Sequence, residues 1–289
     1  MSVQPMTDEF SPTPGGLTTA QTIRAYAVSG FALVHLAAIA GVLLVPFSWK
    51  AAALCAGSYY LRMFGVTAGY HRYFSHRTYR LHRGWQFALA FLAQTSAQKG
   101  VLWWAGHHRH HHRQSDQPSD IHSPLQHGFW WSHIGWILSE EHIETDHRAI
   151  ADFSKYPELR WLNQHNSIPA IAYAVLLTAV FGLQGLVYGF LLSTVLLWHG
   201  TFMINSLMHL FGRRVYDTND DSRNSFLFAV LTMGEGWHNN HHYYPGTAAQ
   251  GFRWWQIDPT YYLLRLLETV GIVRDLRRRP AASRLQQAG

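Results

Sequence analysis

Ten of the chain's 20 histidines fall in three short segments: His71-Arg-Tyr-Phe-Ser-His76, His107-His-Arg-His-His-His112 and His238-Asn-Asn-His-His242. Neutral imidazole is the commonest side-chain metal ligand, and one ion can take several. Ten clustered imidazoles exceed the needs of one ion, so the pattern points first to two metals held almost without carboxylate. Residues at i, i+3 and i+4 share a helix face, a spacing met by His108, His111 and His112 and again by His238, His241 and His242. His71 and His76 suit a helix end running into a turn, where the pair can bracket an ion. A solvated His-rich surface is the bland reading of one such tract; two HxxHH triplets plus a pair at the end of an apolar helix argue against it. A zinc ion takes three or four ligands and cannot use this many, whereas copper stays open on ligand type. Glu144-x-x-His147 and Glu235-x-x-His238 resemble the pairs of soluble di-iron bundles. The first lies in a polar loop and the second in the Gly234-Glu-Gly236 stretch, and no helices with inward-facing carboxylates accompany them.

The elements that must position these clusters are apolar helices. Only 14% of the 289 residues are charged, against roughly 25% in soluble proteins, and 15% are aromatic. The pattern predicts an all-α integral membrane protein: about four transmembrane helices beneath a cytosolic helical cap that carries the metals. The spans are expected at about 23–47, 51–70, 168–183 and 186–211, with an interfacial or re-entrant segment at 85–104. Arg62 interrupts the second span, which is costly in lipid unless it faces a polar interior. Residues 182–185 read as a tight turn between the last two spans. Residues 1–20, rich in Thr, Pro and Gly, read as a disordered lead, 21–273 as the membrane domain and 274–289 as a basic tail. Lys50 is the single cation of the two outer turns, so the positive-inside rule puts the histidines in the cytosol, consistent with a bacterial inner membrane. The net charge of +6 fits anionic lipid rather than nucleic acid, since no nucleic-acid motif accompanies it. The lone Cys55 excludes a disulfide, a cysteine zinc site or an iron–sulfur cluster within the chain and reads as a packing residue.

With these strings in view, the chain resembles the membrane fatty acid desaturases, in particular the acyl-CoA (stearoyl-type) Δ9 branch in a bacterial-like form. That family has HxxxxH, HxxHH and HxxHH boxes in this order. It also has an Asn-x-x-x-His on its fourth membrane helix, matched by Asn205-Ser-Leu-Met-His209. Gly69-Tyr-His-Arg72, Ser75-His-Arg-Thr-Tyr79, Ser132-His-Ile-Gly-Trp136 and Gly234-Glu-Gly-Trp-His-Asn239 match as well. The resemblance implies two irons bound by His71, His76, His108, His111, His112, His209, His238, His241 and His242, with Asn205 reaching one iron through water. It implies an O2-dependent oxidoreductase that inserts a cis double bond, at Δ9, into a long saturated acyl chain. His107 and His110 fall off the ligand positions. His35, His82, His165 and His199 read as interfacial or packing residues, and His122 and His133 match family positions of uncertain role. Acids that orient the ligand rings are expected among Asp120, Asp146, Asp220, Asp221 and Glu235. Trp103, Trp104, Trp130, Trp131, Trp136 and Trp237 are candidates to line an acyl tunnel.

The chain departs from the family where CoA is held. Gly106-His107 stands in place of an Arg-Asp pair, and Glu140-Glu141 in place of a basic pair. Acids near a polyphosphate weaken its binding, so the carrier stays open between CoA, a lipid and an acyl carrier protein. Thr13-Pro-Gly-Gly16 lacks the His of a fused cytochrome b5 motif, so a separate donor of ferredoxin or cytochrome b5 type, with its reductase, is expected. The same boxes serve membrane di-iron hydroxylases and alkene-forming fatty acid decarboxylases, and a non-enzymatic membrane metal-binding protein is the remaining alternative.

Overall fold

The computed structural model describes residues 19–279, with side chains from Arg24 onward. The lead expected over 1–20 therefore lies outside the described residues, except for Thr19 and Ala20, which open helix α1 (Thr19–Leu44). Ser48 caps α2 (Trp49–Phe64) by accepting from the Ala51 N–H at 3.0 Å. Helix α2 runs without a break into an eleven-residue π-helix, Gly65–Ser75, which carries the first His pair. π-Helices are rare and concentrate at functional sites. Here Gly65 and Gly69 let α3 (Arg83–Gln94) press against it: a Cβ at Gly65 would sit 3.0 Å from the Ala93 backbone, and one at Gly69 3.2 Å from Leu89.

The 85–104 segment is split. Helix α3 ends at Gln94, the chain turns with positive φ at Ala97 and Lys99, and α4 (Val101–Gln114) carries the second cluster. Gln94 and Asn163 supply the turn with acceptors: Gln94 for the Val101 N–H, Asn163 for those of Leu102 and Trp103. Arg62, fully buried, meets the polar interior that lipid burial demands. Its guanidinium donates to the Ser58, Thr95 and Phe190 carbonyls and to the Ser193 and Thr194 hydroxyls, with no carboxylate involved.

Two helices among the described residues are long and apolar enough to cross a membrane: Arg24–Leu44 and the 42-residue Ile168–His209. The second is a hairpin. Helix α5 (Ile168–Gln184) reverses at Gly182 (φ 61°, ψ −147°), a conformation that glycine adopts without strain, and returns as a π-helix (Gly185–Leu192) and α6 (Ser193–Ser206). Its two arms are the segments expected at 168–183 and 186–211. The 51–70 segment is helical throughout but is not among the long apolar helices. A hydrogen-bonded row of three imidazoles, His35, His199 and His133, ties α1 to α6 and to the short helix Phe129–His133, so these are tethers rather than isolated packing residues.

Helices α7 (His238–Tyr243) and α8 (Pro259–Thr269) complete the cap. Arg274 does not dangle: β1 (Arg80–Leu81) pairs with β2 (Val273–Arg274), and Arg277 donates its N–H to the Thr78 carbonyl and accepts from the Ala248 N–H. The rest of the basic tail, beyond Arg279, lies outside the described residues. The buried core, including Tyr70, Phe74, Ala93, Leu102 and Leu162, fills the space between the π-helix, α3 and α4 and so fixes the scaffold on which the histidines stand.

Candidate metal centre

The nine expected ligands converge, but not as three boxes. His71, His76, His108, His112 and His241 form one group, and His111, His209, His238 and His242 a second. Each HxxHH triplet is shared between them. From α4, His108 and His112 join the first group and His111 the second; from α7, His238 and His242 join the second and His241 the first. Helix geometry accounts for this. At about 100° per residue, i and i+4 lie roughly 40° apart while i+3 falls about 60° to the other side. Each helix therefore presents a pair to one group and a single imidazole to the other, and the two helices do so in opposite senses. His209, from the 3-10 turn Leu207–His209 that follows α6, completes the second group.

The donor set fits metal. In the first group Nε2 atoms approach at 2.9 Å (His71 to His241, and His241 to His112) and 3.0 Å (His76 to His108); in the second, His209 to His238 is 3.0 Å. Adjacent ligands at right angles around an ion, each about 2.0–2.1 Å away, lie about 2.9 Å apart, so these spacings are those of neighbouring ligands. His242 Nε2 is buried without a hydrogen-bond partner, an orphaned lone pair of the kind a cation satisfies.

Four carboxylates set the tautomers. The Nδ1–H of His71 donates to Glu235 at 2.5 Å, His111 to Asp120 at 3.0 Å, His209 to Asp116 at 2.8 Å and His242 to Asp220 at 2.6 Å. A donor at Nδ1 leaves Nε2 as the lone pair, which is how outer carboxylates orient ligating imidazoles. Of the expected acids, Glu235, Asp120 and Asp220 take this position. Asp146 instead caps the Arg148 and Ala149 backbone, and Asp221 pairs with Arg214 and Arg223. The fourth, Asp116, was missed: it lies just after α4, 93 residues from its partner, and an HxxHH spacing carries no signal for it.

The carboxylates are unevenly divided, one behind the five-His group and three behind the four-His group. The four-His group is the more electron-rich and should hold its cation more tightly. Asp116→Ala is expected to weaken metal there by about 10–100-fold and leave the five-His group loaded, as checked by metal content after dialysis against graded chelator. Equal loss from both groups would contradict the division.

Burial and the neighbouring imidazoles hold His76, His108, His112, His238 and His241 well below the usual imidazole value. Burial also brings His242 down to about 4 in spite of Asp220. For Asp120 and Asp220, burial alone would raise the pKa, but the imidazoles facing them keep both ionised far below the usual carboxylate range. His111 goes the other way, because Asp120 outweighs burial and raises it. A histidine with a depressed folded pKa binds fewer protons folded than unfolded, so its stability is complete above the unfolded value of about 6.5 and declines as pH falls below it, by up to about 1.4 kcal/mol per pH unit. Six such groups outweigh His111. The Tm of metal-free protein should therefore drop steeply between pH 7 and 5, and bound metal should flatten the profile by excluding protons from the same nitrogens. A flat metal-free profile would contradict this assignment.

The other residues sort by contact. His107 donates its Nδ1–H to the Trp103 carbonyl at 2.9 Å, and His110 donates its Nε2–H to the Ser119 carbonyl at 2.9 Å; neither joins a group. His82 caps α3 and His165 bonds the Trp161 carbonyl. His122 is buried with its Nδ1 4.0 Å from Asp120 and without a hydrogen bond, grouped with His111 and Asp120, and its ring lies tilted against those of His111 and Trp136. Asn205 lines both a small cavity between the two His groups and a large one of about 860 Å³. Trp103, Trp104 and Trp136 line the large cavity, as does Trp198 of α6, which the sequence did not single out. Trp131 and Trp237 do not, and Trp130 is 74% exposed.

The family model described as fatty acid desaturase matches residues 47–274. An sn-2 palmitoyl-lipid 9-desaturase of Nostoc sp. is 37% identical, over 80% of this chain and 82% of its own length. An sn-1 stearoyl-lipid 9-desaturase of Synechocystis sp. is 33% identical, over 89% and 81%. An acyl-CoA 5-desaturase of Anemone leveillei is 35% identical, over 80% and 73%.

Proposed function

This chain belongs to the fatty acid desaturase family, an oxidoreductase acting on acyl chains, and from that premise we propose that it is a membrane Δ9 desaturase with two irons. The observation that carries the metal assignment is the convergence of nine imidazoles into groups of five and four. Two irons held there would supply, with O2 and two electrons, the oxidant that an unactivated C–H bond requires. The chain's own residues do the rest. Glu235, Asp120, Asp116 and Asp220 hold the ligand rings, and Asn205 faces the space between the groups, placed to hold a water on one of them. The apolar cavity ending at His108 and Asn205 keeps an acyl chain in register and excludes bulk water. The Δ9 position follows the two cyanobacterial relatives and the stearoyl-type strings.

The hairpin at Gly182, the Arg24–Leu44 helix and the α2 segment with its shielded Arg62 support four spans. The distribution of cations supports a cytosolic metal cap in a bacterial inner membrane, fed by a separate ferredoxin or cytochrome b5 type donor. The test is lipid analysis of a desaturase-deficient host expressing the chain, together with metal analysis of the purified protein. Monounsaturated acyl chains with the double bond at carbon 9 and about two irons per chain are expected. Alkenes or hydroxy acids without unsaturation, or one zinc or copper per chain, would overturn the reading.

A further inference from the structure

The large cavity reaches His108 of the five-His group, His122 and Asn205 on one side and opens on the other. Its far wall is the Arg24-end half of α1 and the Ile168-end half of α5. There Tyr26, Leu33, Ile171 and Val175 both line the cavity and are 75%, 66%, 60% and 62% exposed. Side chains that line an internal space and remain mostly exposed mark a mouth. The hairpin and α1 are clamped at the opposite end, where Tyr188 donates to the Val45 carbonyl at 2.8 Å and Ser48 to Gln184 at 3.4 Å. Away from the clamp, small residues leave the seam unfilled: Gly30, Ala174 and Ala170 line it, and a Cβ at Gly30 would meet nothing within 4 Å. The mouth thus lies on the apolar flank of two long membrane-type helices, not on the polar cap.

The polar end beside this seam is unsuited to a polyphosphate. A recess there is lined by Arg24, Glu140 and Glu141, and its one cation, Arg24, is paired with Glu140 at 3.3 Å. The net charge is negative, which disfavours CoA but tolerates a headgroup that stays in the interface. The relatives' names divide between lipid and CoA carriers, so the family alone does not choose.

We infer that the seam between α1 and α5 is a lateral port, through which the acyl chain of a membrane glycerolipid enters the cavity while its headgroup remains at the bilayer surface. This rests on the desaturase reading for what happens to the chain, but not for its entry.

The test uses the full-length protein in phosphatidylglycerol vesicles with two photoreactive probes, a glycerolipid bearing a diazirine in its stearoyl chain and the corresponding stearoyl-CoA. The lipid probe should label peptides containing Trp103, Trp104 or Trp198. Ala174→Trp and, separately, Gly30→Phe should cut that labelling at least tenfold, with labelling of the outward Leu43–Leu44 unchanged as the control for folding and insertion. Cavity labelling by the CoA probe alone, or lipid labelling that both bulky variants leave intact, would overturn the port. In parallel, wild-type turnover of lipid-bound stearoyl groups should exceed that of stearoyl-CoA at least tenfold, and the reverse preference also overturns it. Labelling of the cavity by lipid with no desaturation of either carrier would sustain the port and sink the desaturase reading instead.

Discussion

His241→Ala and His112→Ala should each reduce desaturation below about one-thousandth of wild type, beyond the 10–100-fold typical of losing an outer partner, while His107→Ala keeps most of its activity. The contrast follows from position. His241 Nε2 lies 2.9 Å from both His71 and His112, at the centre of the five-His group, whereas His107 packs on Trp103 with ring centroids 4.4 Å apart. Equal loss from His107→Ala and His112→Ala would mean that the ligand register is wrong. The sharing of each triplet between groups gives a stricter check through metal content alone. His112→Ala and His241→Ala remove ligands of the same group, so the double variant should retain about as much metal as either single one. His111→Ala and His112→Ala are neighbours in sequence but serve different groups, and their combination should lose metal from both. If instead the adjacent pair behaved as one site, the division into five and four would fail.

That division marks the limit of what could be read from residue order. Six of the imidazoles are visible because each HxxHH spacing puts three rings on one side of a helix, whereas His209 and the full set of nine came from the resemblance to the desaturase family. Which rings share an ion is not visible, because it depends on two helices facing each other with opposite azimuth. Helix α4 offers a pair where α7 offers a single ring, and local spacing is identical in both. Asp116 fails for a related reason: its partner lies across the fold, and any of a dozen loop acids looks the same in sequence. Arg62 could be recognised as needing a polar pocket, but not that hydroxyls and carbonyls from 95–194 would satisfy it. Among the tryptophans, residue type said only that a wide apolar space was affordable to line. Trp198 faces the cavity and Trp130 faces outward because α6 and the Phe129–His133 turn are oriented by packing. The hairpin turn, by contrast, was legible, since Gly182 and Gly185 bracket two residues between long apolar arms.

Arg72→Met should be the most destabilising single substitution in the cap, by about 3–5 kcal/mol, although methionine fits the space. The Arg72 guanidinium is 1% exposed and donates to Asp258 at 2.9 and 3.1 Å, to Glu235 at 3.0 and 3.2 Å and to the Ala248 carbonyl at 2.7 Å. Removing it leaves two carboxylates buried without their cation, which costs far more than the lost packing. Each carboxylate also has a second duty. Asp258 caps α8 by accepting from the Tyr261 N–H at 3.0 Å and fixes the Gln250 N–H at 2.7 Å, and Glu235 holds His71 and accepts from Gln250 at 2.6 Å. The loss should therefore spread from α8 to the five-His group, seen as a fall in Tm together with weaker metal retention in that group. Arg72→Lys should recover only part of either, because an ammonium cannot reproduce the planar fork that spans both carboxylates. Arg72→Met combined with Asp258→Asn removes one of the stranded charges and should recover more stability than Arg72→Lys if charge burial dominates. A double variant no more stable than Arg72→Met alone would show that the guanidinium acts mainly through shape.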